Sequence, residues 1–288
     1  MFRHFRRTQY REGFIALVFI APALVALFTM RILPAFNALQ ASFYHEGEYV
    51  GLDNYDFLIN SEPLVNSIQT TLTFNLIINP LQILIALALA ILLTENLPGA
   101  AIWRVAIFMP AAVPLAVSSI VWGIAFRPDD GMVNSLLALL AIEPQPWLTS
   151  ADQALASIII LASWAGVGYW MIFLIAGLRD IPVVYREAAA LDGAGYWGTL
   201  LYVVLPLMRR PLAFVLVANT VANFLLFPPI QILTRGGPEG STNLFMHEIY
   251  RRAFRFADYG LASAGMVILI SIMLVIVIIQ FRLLRTRV

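Results

Sequence analysis

The sequence predicts an all-α integral membrane protein with six transmembrane helices and with both termini on the cytoplasmic side. Three observations lead to this fold class. Hydrophobic residues make up 60% of the 288 residues, and charged residues make up only 12%, about half the share in a soluble domain. Six stretches are apolar over about 20 residues, which is the length that a helix needs to cross a bilayer. The arginines are concentrated in alternate connecting segments, and this sets the orientation.

The six apolar stretches follow one another along most of the chain. We place the spans near residues 13–33, 67–93, 105–126, 154–178, 212–234 and 261–281. The flanking segments 1–12 and 285–288 are expected to be cytoplasmic tails, so that residues 13–284 form one transmembrane domain. The first span is interrupted by proline and lacks a small-residue cleavage site followed by a soluble domain, which is unlike a cleaved signal peptide.

The placement of arginine predicts that both termini are inside. With the N-terminus inside, the inner segments carry 12 arginines and five acidic residues, whereas the outer segments carry six arginines and 12 acidic residues. Cytoplasmic loops of membrane proteins are enriched in basic residues, and the opposite orientation would place the 12 arginines outside. Arg251, Arg252 and Arg255 in the last outer loop depart from this bias but do not reverse it.

The residue types that are missing exclude several functions. The chain has no cysteine, and therefore no disulfide, thiolate nucleophile or cysteine-ligated zinc. All 18 basic residues are arginine, so the lysine of a P-loop ATPase site is missing as well. The low charge and high apolar content argue against disorder and against nucleic-acid binding. The three histidines, His4, His45 and His247, do not lie at metal-ligand spacing, and we expect them to be solvated.

Prolines and one short apolar segment interrupt the regular pattern of spans. Pro110 and Pro114 lie in the third span and Pro80 in the second, and each removes a backbone hydrogen bond and kinks its helix. Such kinks either shape a cavity and permit rocking or are static bends, and both interpretations are open. The apolar segment 132–142 is too short to span and is expected to form a helix along the outer surface.

The inner loop 179–211 is the most patterned part of the chain. Pro182 and Gly193 stand where a helix begins and ends, which predicts a short helix over 182–192. A second helical stretch is expected over 196–205. From periodicity alone, an ordinary amphipathic connector and a docking element are equally good interpretations of this loop.

The order of residues in the inner loop resembles the EAA loop of permeases from binding-protein-dependent ABC importers. The matching residues are Glu187-Ala188-Ala189, Asp192-Gly193-Ala194, Leu205-Pro206 and Pro211. The resemblance extends in the outer loops to Gly51-Leu52-Asp53-Asn54-Tyr55 and to Leu233-Thr234-Arg235-Gly236-Gly237-Pro238. It covers roughly residues 14–284 and is greatest for the maltose-type and glycerol-phosphate-type first permease, in its compact six-helix form.

This resemblance implies a type I ABC importer permease fold and a set of partner proteins. A second related permease would complete the transmembrane path, two P-loop ATPase subunits would bind ATP and Mg, and an extracytoplasmic binding protein would deliver a carbohydrate-like substrate. The chain itself would bind no cofactor or metal and would lie in the cytoplasmic membrane of a bacterium or archaeon. The residues implied in coupling to the ATPase are Tyr185, Arg186, Glu187, Ala188, Ala189, Asp192, Gly193, Ala194 and Gly195.

Polar and aromatic side chains inside the spans are candidates for the substrate path, because burying polar groups in a membrane is costly. The candidates are Asn75, Asn79 and Gln82 on the second span, Ser118 and Trp122 on the third, Ser163 and Trp170 on the fourth, and Asn219, Asn223 and Phe224 on the fifth. Amides and hydroxyls match the hydroxyl groups of a sugar, and indoles match its C–H faces. The alternative is that these side chains bond one helix to another, and that Phe224 is plain packing.

Two other functional classes need comparison with the importer. An ion-coupled secondary transporter usually keeps an ionisable residue near the bilayer midplane, and no Asp, Glu or His lies in the middle of a predicted span. This argues against proton coupling, although sodium coupling through carbonyl and hydroxyl groups stays open. An intramembrane enzyme would need paired catalytic groups or zinc ligands within the membrane, and the predicted spans contain no such set. The solute is also open, from a neutral sugar to a sugar acid or a glycerol phosphate.

Overall fold

The computed structural model describes residues 2–95 and 98–284 as a largely helical chain, with side chains described from residue 15 onward. The helices are α1 (Phe2–Leu27), α2 (Leu33–Ala41), α3 (Asp53–Asn60), α4 (Glu62–Thr94), α5 (Ala100–Ala112), α6 (Leu115–Ala125), α7 (Met132–Ala138), α8 (Ala151–Arg179), α9 (Val183–Leu191), α10 (Tyr196–Thr199), α11 (Leu205–Leu207), α12 (Arg209–Phe224), α13 (Phe245–Phe254) and α14 (Tyr259–Leu284). A short antiparallel hairpin pairs β1 (Tyr44–His45) with β2 (Glu48–Tyr49).

Three π-helical turns and one 3₁₀ turn join or extend these helices. The π-helical turns are Phe28–Ile32, Leu200–Val204 and Ile230–Thr234, and the 3₁₀ turn is Trp147–Thr149. The first π-helical turn runs directly from α1 into α2, so that the two helices form one continuous stretch.

The predicted class of all-α membrane protein is confirmed, and the described residues contain four straight helical stretches and two bent helix pairs that are long and apolar enough to cross a bilayer. The straight stretches that are long and apolar enough to cross a bilayer are Ile15–Ala41, Glu62–Thr94, Ala151–Arg179 and Tyr259–Leu284. They correspond to the first, second, fourth and sixth predicted spans. Two bent helix pairs raise the number to six when each pair is counted as one span. The placement of both termini inside stays a prediction.

The third predicted span, 105–126, is not one straight helix. Its two parts, α5 and α6, meet at 96°. Val113 between them has an extended backbone with ψ of 131°, because the ring of Pro114 disfavours helical geometry in the residue before it. The kink expected from proline is therefore a sharp elbow in the chain.

The fifth predicted span, 212–234, is also discontinuous. Helix α12 ends at Phe224, and the chain continues through Pro228 and Pro229, which lack the backbone N–H that a helix needs. The bent partner of α12 lies on its other side, where the stretch Tyr196–Leu207 meets it at 65°. Part of the predicted inner loop therefore extends this span.

The first helical stretch makes few contacts with the remainder of the chain. Helix α1 begins at Phe2, so residues 2–12 are helical and continuous with the first span. The placement of residues 1–12 as a cytoplasmic tail stays a prediction. The most apolar window of Ile15–Ala41 has no buried side chain, and α2 packs on α14. Met1 and the predicted tail 285–288 lie outside the described residues.

The core is organised around α4 and α8, which pack along most of their length. Small residues allow close approach on both sides of α8. A Cβ atom at Gly168 would collide with the backbone carbonyl of Ile107 on α5, and one at Gly177 would lie 2.6 Å from Pro211. These contacts hold α5 and α12 against the same central helix, which places the elbow between α5 and α6 opposite the polar residues of α12.

The connecting helices agree with the sequence pattern. The predicted short inner helix is α9, the second inner stretch is α10 with the π-helical turn and α11, and the predicted outer surface helix is α7. Gly193 has φ of +80°, the left-handed conformation that ends a helix and that glycine adopts without strain.

Candidate functional site

A cavity of about 620 Å³ lies at the elbow between α5 and α6. Its wall is built from α4, the elbow, α8 and α12. The lining residues are Gln82, Pro110, Ala111, Ala112, Val113, Pro114, Leu115, Ala162, Ala165, Gly166, Tyr169, Trp170, Asn219, Ala222, Asn223 and Leu226. Among these described residues no side chain is ionisable except the phenol of Tyr169. The wall therefore offers amides, an indole, a phenol and apolar surface.

The amide side chains of Gln82, Asn219 and Asn223 meet at the cavity wall. The Nδ2 group of Asn223 lies 2.8 Å from Oδ1 of Asn79, 3.0 Å from Oε1 of Gln82 and 3.0 Å from Oδ1 of Asn219. Its two hydrogens are shared among three acceptors. Gln82 in turn donates from Nε2 to the backbone carbonyl of Ala162 at 2.9 Å. The network therefore ties α4, α8 and α12 together at one level of the protein.

The same network continues along α4 away from the cavity. Nδ2 of Asn79 lies 3.3 Å from both Oδ1 of Asn75 and Oγ1 of Thr220. Asn75 donates to the carbonyl of Thr71 at 2.9 Å, and the Thr71 hydroxyl accepts from the backbone N–H of Phe245 at 2.7 Å. Asn75 and Asn79 are therefore buried behind the cavity wall, where they connect α4 to α12 and, through Thr71, to α13.

One donor at the cavity wall is free. The Nδ2 atom of Asn219 is buried and has no hydrogen-bond partner among the described residues, although the residue lines the cavity. Buried polar groups in proteins are nearly always paired, so a group left unpaired at a cavity needs an explanation. The Asn219 side chain is fully buried, so a polar solute in the cavity would reach this donor only after the side chains that cover it move.

The remaining candidate residues lie away from this cavity. Ser163 lines a neighbouring cavity of about 370 Å³ between α5 and α8. Ser118 is buried on α6, and its hydroxyl has no partner within the described part of the chain. The ring of Trp122 lies 5.7 Å from that of Trp164. Phe224 is buried in an apolar cluster with α13 and α14. Whether any of these side chains touches a solute stays a prediction.

Tyr169 and the residues between the two elbow prolines were not among the residues singled out from the sequence. Pro110 and Pro114 were singled out as kinks that either shape a cavity or are static bends, and both line the cavity. Tyr169 lies one residue before Trp170, and its ring centroid is 4.9 Å from the indole in an edge-on contact. An aromatic pair at one level of a span is a signal that points to this wall.

The inner helix α9 presents an exposed apolar surface. Val183, Val184 and Leu191 on α9 and Trp197 and Tyr202 after it are between 58% and 89% exposed. Val183, Val184 and Leu191 lie in a connecting segment, whereas Trp197 and Tyr202 lie in the stretch Tyr196–Leu207 of the bent span. Exposed apolar residues outside a span are typical of a site of protein or membrane contact. The surface is defined here as the inner docking surface.

The predicted coupling residues lie beside this surface and differ in their exposure. Ala189 is buried against the protein, and Arg186 lines a cavity of about 260 Å³ with Glu95 and Tyr196. Glu187 is exposed and forms no ion pair within the described part of the chain. The other predicted members, Tyr185, Ala188, Asp192, Gly193 and Gly195, are exposed, and Ala194 is half-buried.

The expectation that His247 is solvated is wrong. His247 lies on α13 and is 1% exposed, with Nδ1 at 2.7 Å from Oδ1 of Asn243 and Nε2 at 3.1 Å from Oε1 of Gln231. Its neighbour Glu248 is buried and paired with Arg251 at 2.9 Å and with Arg252. The apolar face of α13 packs on α14 and α4, and this packing buries His247 and Glu248. The sequence of an outer loop did not indicate this burial. His45 is half-exposed near Asp258, and the side chain of His4 lies outside those described.

Burial, together with the nearby positive charges of Arg251 and Arg255, lowers the pKa of His247 to about 4 against the opposing effect of Glu248. In its neutral form the ring can donate from only one nitrogen. The Nδ2 group of Asn243 donates to Glu248 at 3.0 Å, which fixes Oδ1 of Asn243 towards the ring. Nδ1 therefore carries the proton and donates to Oδ1 of Asn243 at 2.7 Å.

Stability is expected to fall as the pH falls from about 6.5 to about 4, because over this range the unfolded state takes up a proton at His247 that the folded state does not. His247→Gln should flatten this dependence. Thermal unfolding of the purified protein in detergent across this pH range measures it. His45→Gln serves as the control for the loss of a half-exposed histidine. An equal fall in melting temperature in His247→Gln would contradict the prediction.

Comparison with known proteins places the chain among transport components. The family described as binding-protein-dependent transport system inner membrane component matches residues 82–288. The sn-glycerol-3-phosphate transport system permease protein UgpA of Pectobacterium atrosepticum is 32% identical over 285 residues, which is 96% of each chain. The trehalose/maltose transport system permease protein MalF of Thermococcus litoralis is 30% identical over 284 residues, 96% of this chain and 93% of the other.

A solved structure shares the fold. One chain in the crystal structure of a bacterial alginate ABC transporter, in complex with its alginate pentasaccharide-bound periplasmic protein, superposes with a TM-score of 0.86. It is 20% identical, and the match covers 98% of this chain and 99% of the other. This likeness establishes the overall fold of the chain as a known one.

Proposed function

Because the chain belongs to the family of binding-protein-dependent transport system inner membrane components, we propose that it forms one half of the membrane path of an ATP-driven importer for a sugar or sugar-like solute. Membership makes it a multi-pass membrane protein and a transport subunit, with ATP hydrolysis carried by separate subunits. The observation that carries the solute class is the amide-lined cavity at the elbow between α5 and α6.

The chemistry of the cavity wall suits a polyhydroxyl solute. The free Nδ2 donor of Asn219 and the amides of Gln82 and Asn223 match sugar hydroxyls, and the rings of Tyr169 and Trp170 match the apolar C–H faces. One relative is named for trehalose/maltose, which are polyhydroxyl compounds, and another for sn-glycerol-3-phosphate, which is a phosphate ester of a polyhydroxyl compound. Within this wall, Asn219 is the residue proposed to contact the solute, with Asn223 holding it in place.

The inner docking surface provides the connection to the ATPase. In the proposed assembly α9 inserts into a cleft on an ATPase subunit, where Glu187 pairs with a basic group and Ala188 allows close fit. Two such subunits bind ATP and Mg, and their closure draws the inner helices of the two permeases together. Helix α9 leads through α10 and α11 into α12, so its displacement would move Asn219 and Asn223 at the cavity wall. The spans would thereby alternate between inward-open and outward-open states.

The exposed first span supports a second permease subunit. The stretch Ile15–Ala41 has no buried side chain in its most apolar window. A related partner that packs against it would complete the path and supply the other half of the cavity. The complex would lie in the cytoplasmic membrane of a bacterium or archaeon with both termini inside, and the binding protein would dock on the outer face.

The ion-coupled secondary transporter is disfavoured by the same observations. The described cavity wall carries no carboxylate or histidine that could bind or relay an ion. The inner docking surface would also have no role in a transporter that works without an ATPase.

Affinity purification of the tagged chain from its native membrane in mild detergent tests the proposal. We expect recovery of a second permease and a P-loop ATPase in comparable amounts, identified by mass spectrometry. A Glu187→Arg variant, which reverses one exposed charge on α9, should lose the ATPase but retain the second permease. Recovery of the unaltered chain alone, stable and without an ATPase, would refute the importer assembly.

A further inference from the structure

A groove of about 790 Å³ opens between α12 and α14, on a different face of α12 from the cavity wall. Its lining residues are Arg210, Ala213, Phe214, Val217, Ala218, Phe281 and Leu284. Every one except Arg210 is apolar. The small side chains of Ala213 and Ala218 leave space on α12 that α14 does not fill.

One arginine lines this groove, and two more are adjacent in sequence to its lining residues. Arg210 lines it, Arg209 precedes that residue, and Arg282 follows Phe281 on the facing helix. All three arginines are exposed, and none of them forms an ion pair within the residues that the structure describes. Arg282 stands near the end of α14, and Arg209 and Arg210 stand at the bend where α12 begins. Arginines near helix ends in membrane proteins reach towards lipid headgroups.

We infer that this groove binds an anionic phospholipid, with its phosphate against Arg210 and an acyl chain along the apolar wall. An arginine guanidinium pairs well with phosphate, and basic pockets between transmembrane helices are typical sites for anionic headgroups. A transmembrane helix of another subunit would fill the apolar wall but would leave the charge of Arg210 without a counterion. A phospholipid satisfies both features at once, so the combination of charge and apolar length favours it.

The position of the groove means that a bound lipid would affect the start of α12. Arg209 and Arg210 open α12 directly after the buried Met208, where the chain turns by 65° from the inner segment Tyr196–Leu207. A phosphate held there would fix the start of α12 relative to that segment. An effect of the lipid on transport would rest on the proposed function, whereas binding of the lipid does not.

Native mass spectrometry of the full chain with its copurified subunits tests the inference. The probe is an equimolar mixture of dioleoyl-phosphatidylglycerol and dioleoyl-phosphatidylcholine in the same micelles. We expect the unaltered chain to retain phosphatidylglycerol about fivefold more than phosphatidylcholine, and Arg210→Gln to remove most of this preference. Arg127→Gln, which removes an exposed arginine paired with Asp130 at 3.3 Å, is the matched control and should keep it.

A second variant separates the groove from its charge. Ala218→Leu fills the apolar wall without changing the charge, and it should lower retention of both lipids while the complex stays intact. Equal retention of the two lipids by the unaltered chain would overturn the inference, as would a full preference in Arg210→Gln. Retention by the chain alone that disappears when its copurified subunits are present would assign the groove to a protein neighbour instead.

Discussion

Asn219→Leu is expected to lower solute uptake by about tenfold or more while the importer still assembles. Asn219 contributes the only amide donor at the described cavity wall that is buried without a partner. Removing a hydrogen bond that a solute makes in a buried site costs about 1–2 kcal/mol, and about 1.4 kcal/mol corresponds to a factor of ten. The measurement is uptake into proteoliposomes of the solute that the copurified binding protein carries, normalised to the amount of assembled complex.

Asn75→Leu is the matched control for this variant. Asn75 is buried in the same hydrogen-bond network, but its Nδ2 group donates to the Thr71 carbonyl and it does not line the cavity. We expect it to lower thermal stability more than it lowers uptake per assembled complex. If both variants lower uptake only in proportion to the complex that is lost, Asn219 is a structural residue and the proposed contact with the solute is wrong.

Gly193→Val is expected to reduce solute-stimulated ATP hydrolysis of the complex by about tenfold with little effect on membrane insertion. Gly193 has φ of +80°, and no other atom lies within 4 Å of the position that a Cβ would take. The constraint is therefore backbone conformation, which a β-branched residue adopts at a cost of about 1–2 kcal/mol. Relaxing this turn would change the direction of α9 relative to α10 and would therefore disrupt the inner docking surface.

Gly193→Asn separates backbone conformation from surface contact. Asparagine tolerates the left-handed region far better than valine and also fills the space with a side chain. We expect Gly193→Asn to keep most of the stimulated ATP hydrolysis, measured with the reconstituted complex. Equal loss in both variants would show that the ATPase contacts the glycine directly, and wild-type hydrolysis in Gly193→Val would refute a coupling role for this turn.

The four straight spans could be predicted from sequence because each is a continuous apolar stretch of sufficient length. The third and fifth spans could not, because a proline reports that a helix is interrupted but not the angle of the bend. That angle depends on packing between distant segments, such as the contact of α5 with α8 at Gly168. The inner helix α9 was predictable because Pro182 and Gly193 are local signals that mark its ends.

The candidate site was predictable in part, where local sequence signals identify its residues. Asn219 and Asn223 were candidates on the fifth span, and the structure places both on one wall with Gln82. Ser163 and Trp170 were candidates on the fourth span, yet Ser163 lines a neighbouring cavity, because the side of a helix that faces a cavity depends on its neighbours. The prediction that His247 lies at the surface was wrong because the packing of α13 on α4 and α14 is a long-range contact.

The elbow at Val113 and Pro114 brings peptide groups, as well as side chains, to the wall of the cavity. A helix leaves its last carbonyl oxygens and its first N–H groups without intrahelical partners, and here one helix ends and another begins within three residues. Residues 110–115 contribute to the cavity wall mainly through small or apolar side chains, so their polar contribution is the main chain itself. Alanine scanning leaves such groups in place. Recognition of a solute by this wall would consequently survive, in part, the removal of every amide side chain.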